Sequence, residues 1–249
     1  MRWIEAAALL TLLVPASAPM SAVGQTAPPT TQPVLPAQST AAPSVPPAPA
    51  QPAQPKFVVV LDAAHGGSDS GAHLRPDLQE KDVTLTLTTR LRSTLQAHGI
   101  AVVTTRQSDA GIPALNRAET ANHAQAAACL VIHATATGSG VHLYASSLSP
   151  APAVRLQPWQ TAQAAWITQS LKLESEIDAA LAHAQIPITL GRASVQPMDN
   201  LACPAIAIEV APLVGGHVTT ARDVSDADYQ KSVVDALVAA LDAWRSDWK

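Results

Sequence analysis

From Phe57 onward, short apolar runs alternate with longer segments of helical period, and this alternation limits the folds open to the chain more than any other feature. "FVVVL" (Phe57 to Leu61), "IAVVTT" (Ile100 to Thr105), "CLVIH" (ending at His133) and "AIAIEV" (Ala205 to Val210) read as strands, with "VHLYA" (Val141 to Ala145) as a further one. Between them, "KDVTLTLTTRLRSTLQAHG" carries Leu87, Leu91 and Leu95 at i, i+4 spacing and stops at Gly99, the pattern of a helix. "ALNRAETANHAQAAA" and most of the stretch from Trp159 to Gln185 are helical in composition. In the last helix, Ser225 and Asp228 resemble a capping box, and Tyr229, Val233, Leu237, Leu241, Trp244 and Trp248 form one apolar stripe. Such an order predicts a single α/β domain with a largely parallel central sheet flanked by helices, and such sheets bind ligands at the carboxyl ends of their strands.

The first 56 residues do not share this pattern. A basic start at Arg2, an apolar run from Ala6 to Val14 and small residues around Ala16 to Gly24 have the order of a secretory signal peptide, assigned here to residues 1–24. The run is too short for an ordinary membrane-spanning helix, so the mature chain is expected to hold no stable membrane span. Residues 25–56 follow as a Pro/Ala-rich segment. Ten of the chain's 21 prolines lie between 26 and 55, and no charged residue lies between Glu5 and Lys56. Such a segment buries too little apolar surface to offset its ordering entropy and reads as a linker. The expected product is an exported protein, periplasmic or extracellular, whose folded domain spans residues 57–249. A net charge of −4 argues against nucleic-acid binding, which calls for a basic stripe. The two cysteines, Cys129 and Cys203, lack CxxC spacing and read as core residues, although export would permit one bond between them.

Three polar residues stand at or just beyond strand ends: His65, His133 and Glu209. Taken singly they are weak signals. His65 before Gly66-Gly67 suits a turn, and His133 suits a near-core position. Glu80, at the start of the first helix, also favours the helix dipole. Glu209 is harder to explain by structure alone, because a carboxylate inside "AIAIEVAPL" is costly to bury without a partner or a cation. Two histidines and two glutamates can form a catalytic zinc site in which three protein ligands leave one position for water. Their separations of 15, 53 and 76 positions contain no local motif.

The order and context of several short motifs supply what spacing does not. "VVLDAAHGGSDSGA", "LQEKDVTLTLTTRLRSTLQAHGIAVVTTRQSD", "IPALNRAETAN", "VIHATA" and "CPAIAIEV" together resemble the type-3 family of zinc-dependent N-acetylmuramoyl-L-alanine amidases, which trim bacterial cell wall. The resemblance implies Zn2+ bound by His65, Glu80 and His133, with Glu209 as general base and acid. It also implies peptidoglycan as substrate, cut between N-acetylmuramic acid and L-alanine. No sequence feature identifies an activating protein. Arg106 and Arg117, which recur in the matched motifs, read first as structural. Ala64 stands where the family usually has glycine, Ala134-Thr135-Ala136 replaces its Ala-Asn-Ala, and Val210 to Gly216 replaces the segment that usually follows its catalytic glutamate. These departures admit an alternative, a non-catalytic amidase-like module that binds wall fragments or a partner protein. His73, His142, His183 and His217 are left unassigned.

Overall fold

The computed structural model describes residues 57–154, 158–215 and 221–248; the signal-peptide and linker assignments, Gly216 and His217 lie outside them. A six-stranded sheet forms the centre of the domain. It contains β1 (Val58–Ala63), β4 (Ala101–Thr104), β5 (Ala128–Ala134), β6 (Val141–Ser146), β7 (Ile188–Ala193) and β8 (Ala205–Val210). A small hairpin of β2 (His73–Arg75) and β3 (Leu78–Gln79) stands apart from it. The sheet order is β4-β1-β5-β8-β6-β7. All neighbouring pairs are parallel except β6 with β8. The expected, largely parallel α/β architecture is therefore present, with β6 and β7 running against the other four strands.

The two sheet faces are covered unequally. On one face pack α1 (Glu80–Ala97), α3 (Ile167–His183) and α4 (Ala227–Asp247), which bury Leu87, Leu91, Ile177, Leu237 and Leu241 against Leu61, Ile132, Ile208 and Leu143. The other face carries a smaller core in which α2 (Ala114–His123) sets Ala118 and Ala121 against Val60, Val131 and Ala207, beside Met198 and Leu201. Small side chains on α2 let it lie close to the strands. Strand residues alternate between the two cores, as the two-residue period requires.

Several local expectations are met and others shift. α1 ends before Gly99, whose φ of +73° is the left-handed turn that glycine adopts without a Cβ penalty. The cap of α4 falls one residue later than the sequence suggests: Asp226 accepts a hydrogen bond from the Tyr229 N–H at 2.8 Å, and Ser225 instead bonds Asp223. Cys129 and Cys203 are buried in the smaller core, as expected, and are joined in a disulfide across 74 positions. That bond ties the start of β5 to the turn that enters β8. Closing a loop of that length in the unfolded chain is worth about 4 kcal/mol in the chain-entropy account. Replacing both cysteines by alanine should therefore lower the midpoint of urea unfolding by a corresponding amount, and an unchanged midpoint would show that the bond contributes little.

Candidate active site

The chain turns sharply after β1, and the turn is held by groups from three other elements. Asp62, at the end of β1, accepts a hydrogen bond from Arg117 Nη1 at 2.9 Å and another from the Thr105 hydroxyl. Arg117 also donates to the carbonyls of Ala63 and His65. Arg106 donates to the carbonyls of Ala63, Ala64 and Lys81 at 2.8–3.0 Å. Lys81 and Asp109 clamp the far side of the turn through Gly67. These contacts force His65 into the left-handed region at φ 63°, uncommon for a residue with a Cβ. The strained position is His65 itself; Ala64 lies outside that region, so its methyl costs nothing there.

With the turn fixed, His65 faces Glu80. Its Nε2 lies 3.1 Å from Glu80 Oε2, and its Nδ1 is 2.9 Å from Asp69. Glu80 Oε1 lies 2.8 Å from His133 Nδ1, so one carboxylate bridges both imidazoles. Backbone N–H groups of Ala72 and Ala134 also donate to it. Burial alone would raise the Glu80 pKa, but the hydrogen bonds from His133, His65 and Ala72 outweigh it and hold the carboxyl well below the usual carboxylate range. The bond to Glu80 raises His65, partly opposed by burial and assisted by Asp69. Gly71 makes this closeness possible, since a Cβ there would sit 2.6 Å from both Glu80 Oε2 and His65 Cδ2. One ligand atom from each of His65, Glu80 and His133 lies within 4.8 Å of the others, a set that could hold one metal ion.

Glu209 is the next residue along the same row of the sheet. It pairs with His133 on parallel β5 and with His142 on antiparallel β6, so the three side chains share a face. Neighbouring strands are about 4.8 Å apart, which puts Glu209 beside the cluster without joining it. His142 Nδ1 lies 2.7 Å from Glu209 Oε2. Because a carboxylate only accepts, Nδ1 carries the hydrogen. Tyr144 lies two residues further along β6; burial first, then the Glu209 carboxylate, raise its phenol above the ordinary value. Sequence reasoning left His142 unassigned, and the structure sets it against Glu209. His73 stands in β2, and His183 is the last residue of α3.

Fold and side chains together define an α/β domain with a His-Glu-His cluster and an adjacent carboxylate at the carboxyl edge of its parallel strands. Residues 59–243 match the family model described as N-acetylmuramoyl-L-alanine amidase, and the chain belongs to that type-3 amidase family. It is 44% identical over 79 residues to N-acetylmuramoyl-L-alanine amidase AmiA of Escherichia coli (strain K12), a match covering 32% of this chain and 27% of that protein. It is 39% identical over 84 residues to the endolysin of Bacillus phage SPP1, covering 33% of this chain and 31% of the endolysin. These matches thus span about a third or less of the relatives' own lengths. The N-acetylmuramoyl-L-alanine amidase from Clostridium difficile 630 shares the fold, with a TM-score of 0.61 at 19% identity, over 79% of this chain and all of that one. The catalytic domain of CwlV from Bacillus (Paenibacillus) polymyxa var. colistinus aligns with a TM-score of 0.59 at 21% identity, over 76% and 98% of the two chains.

The buried Arg117–Asp62 pair is predicted to hold the His65 turn. Replacing Arg117 by methionine leaves the Asp62 carboxylate buried and half-partnered, so unfolding should become easier by about 3–5 kcal/mol. Denaturant titration of the variant tests this; a loss below 1 kcal/mol would assign the turn's stability to Arg106 and Lys81.

Proposed function

We propose that the chain is an exported zinc amidase that hydrolyses the amide between the lactyl group of N-acetylmuramic acid and the L-alanine of the peptidoglycan stem peptide. The observation that carries this reading is the convergence of His65, Glu80 and His133 on one point, with Glu209 on the neighbouring strand. Two imidazoles and a carboxylate are a zinc donor set. One ligand atom from each of the three lies within 4.8 Å of the others, close enough for a single ion. His65, Glu80 and His133 would hold the metal. When bound, zinc polarises a carbonyl and makes water acidic enough to deprotonate near neutral pH.

The protein's own groups carry the rest. Glu209 takes the proton from the attacking water and delivers it to the departing alanine nitrogen. Backbone N–H groups of Ala72 and Ala134 donate to Glu80 and hold its carboxylate between the two rings. The charged carboxylate in turn orients the two rings.

Export, with residues 1–24 as signal peptide and 25–56 as linker, belongs to the same proposal. It is supported by the signal-like order of the N-terminus and by an oxidised cysteine pair, which persists outside the reducing cytosol. Among the described residues no helix is long and apolar enough to cross a membrane. Against a binding-only module stands Glu209, a part-exposed carboxylate with a dedicated histidine partner beside the donor set, which a scaffold does not need.

Elemental analysis of the purified chain should find close to one zinc per molecule, lost in His65→Ala and in His133→Ala. Glu209→Gln should keep the zinc and lose roughly 100-fold or more in the release of stem peptides from purified peptidoglycan. Wild-type turnover in Glu209→Gln would overturn the mechanism. A wild-type protein that stays empty in added zinc would overturn the metal assignment.

A further inference from the structure

We propose that His142 is a positioning residue for Glu209, and that the loop from Thr135 to Gly140 is built to seat it. This rests on the reading of Glu209 as the proton-transferring group. A glutamate has three side-chain torsions, and one on an open sheet edge samples several rotamers unless something fixes it. His142 Nδ1 donates to Oε2 at 2.7 Å, which fixes the orientation of the carboxylate. Cross-strand pairing of the two residues in the β6/β8 register supplies the alignment, so the contact does not depend on a long flexible side chain.

His142 is itself held. Its side chain is only 14% exposed, and a Cβ at Gly138 would lie 2.5 Å from His142 Cε1 and 2.6 Å from Nε2. The ring therefore packs against the Gly138 backbone, which has φ +87°. Nδ1 is turned to Glu209 and Nε2 to the loop at Gly138. Both ring nitrogens thus face protein groups, the arrangement of a residue that orients its neighbour.

The loop over His142 is fastened to the segment that follows Glu209. Gly140 N–H donates to Pro212 O at 3.1 Å, and Ala211 N–H donates to Gly140 O at 2.9 Å. Ser139 Oγ donates to Val214 O at 2.6 Å and accepts from Val214 N–H at 3.0 Å. The buried Tyr229 hydroxyl lies 2.9 Å from both Gly140 O and Ala211 O. Two stretches in which the sequence departs from its family, Thr135 and Val210 to Val214, thus meet in one packed unit around a single imidazole.

The test compares wild type, Glu209→Gln, His142→Ala and His142→Asn in the full chain, measuring zinc content, thermal unfolding, and kcat and KM on purified peptidoglycan fragments. Asparagine presents an N–H donor where His142 Nδ1 stands; alanine does not. His142→Ala should retain zinc, leave KM within about twofold and lower kcat by about 10- to 100-fold, the usual cost of a catalytic group displaced by about 1 Å. His142→Asn should recover most of that kcat. A merely structural role would instead lower thermal stability in both variants and leave kcat per folded molecule unchanged. If Glu209→Gln is inactive while His142→Ala turns over at the wild-type kcat, or if His142→Asn is as slow as His142→Ala, the positioning role is overturned and the amidase reading stands. If Glu209→Gln is fully active, the amidase reading of Glu209 itself has failed, and this inference fails with it.

Discussion

A carboxylate as enclosed as Glu80, 5% exposed, stays charged only where several donors converge on it. Four do: two imidazoles and two backbone N–H groups. They come from three parts of the chain. His65 lies on the turn after β1, His133 near the end of β5, Ala134 beside it, and Ala72 on the approach to the β2–β3 hairpin. Glu80 opens α1, where the positive end of the helix dipole further favours a negative charge. Satisfying this one group therefore fixes the relative positions of β1, β5 and α1 at the carboxyl edge of the sheet.

Most of the residues that made the family recognisable do not touch the cluster. Asp62, Lys81, Thr105, Arg106, Asp109 and Arg117 all bind the His65 turn or its neighbours. Arg106 and Arg117 sit close together in a mostly buried setting, and burial with mutual repulsion lowers the Arg106 pKa. Carbonyl acceptors from the turn and the buried Asp62 charge offset that repulsion. Positive φ falls on His65 as well as on Gly66 and Gly67, and His65 is the one of the three that has a Cβ. A histidine that must be aimed from a strained turn requires an enclosure of this kind.

The sequence disclosed the parts with a strong period. β8 matches "AIAIEV" to the residue, the apolar stripe of α4 from Tyr229 to Trp244 is buried, and Leu87, Leu91 and Leu95 face the core. β7 was not legible: Ile188–Ala193 is an edge strand with Gly191 inside and no clean alternation of burial. Nor were β2 and β3, three and two residues long. His65, Glu80, His133 and Glu209 were identifiable because each is out of place in its local pattern or lies in a recognisable motif. His142 carried neither signal. Its partner is 67 positions away, and only the register of an antiparallel pair inside a mainly parallel sheet brings the two together. The disulfide was left open for a different reason: burial suits a free cysteine as well as a bonded one.

Apart from Ala64, whose backbone lies outside the left-handed region, the departures from the family pattern fall on one side of this edge, and their packing explains why that side tolerates change. On the His65 side, every polar group answers to Glu80 or to the turn, so replacing one leaves another buried and unpaired, at about 1–3 kcal/mol or more. On the Glu209 side, Thr135 to Gly140 and Val210 to Val214 mainly answer to each other. Thr135 N–H donates to Val210 O, and Leu213 exchanges both backbone hydrogen bonds with Arg222. A segment whose polar groups are satisfied internally can be exchanged as a unit without disturbing the cluster. Decay of an unused site would leave orphaned donors and an unpartnered glutamate. Here the exchanged unit pairs its backbone groups, and Glu209 has His142 of β6 as partner. The segment that follows Glu209 is thus held by backbone groups of its own neighbours, while the donor set is held by the His65 turn.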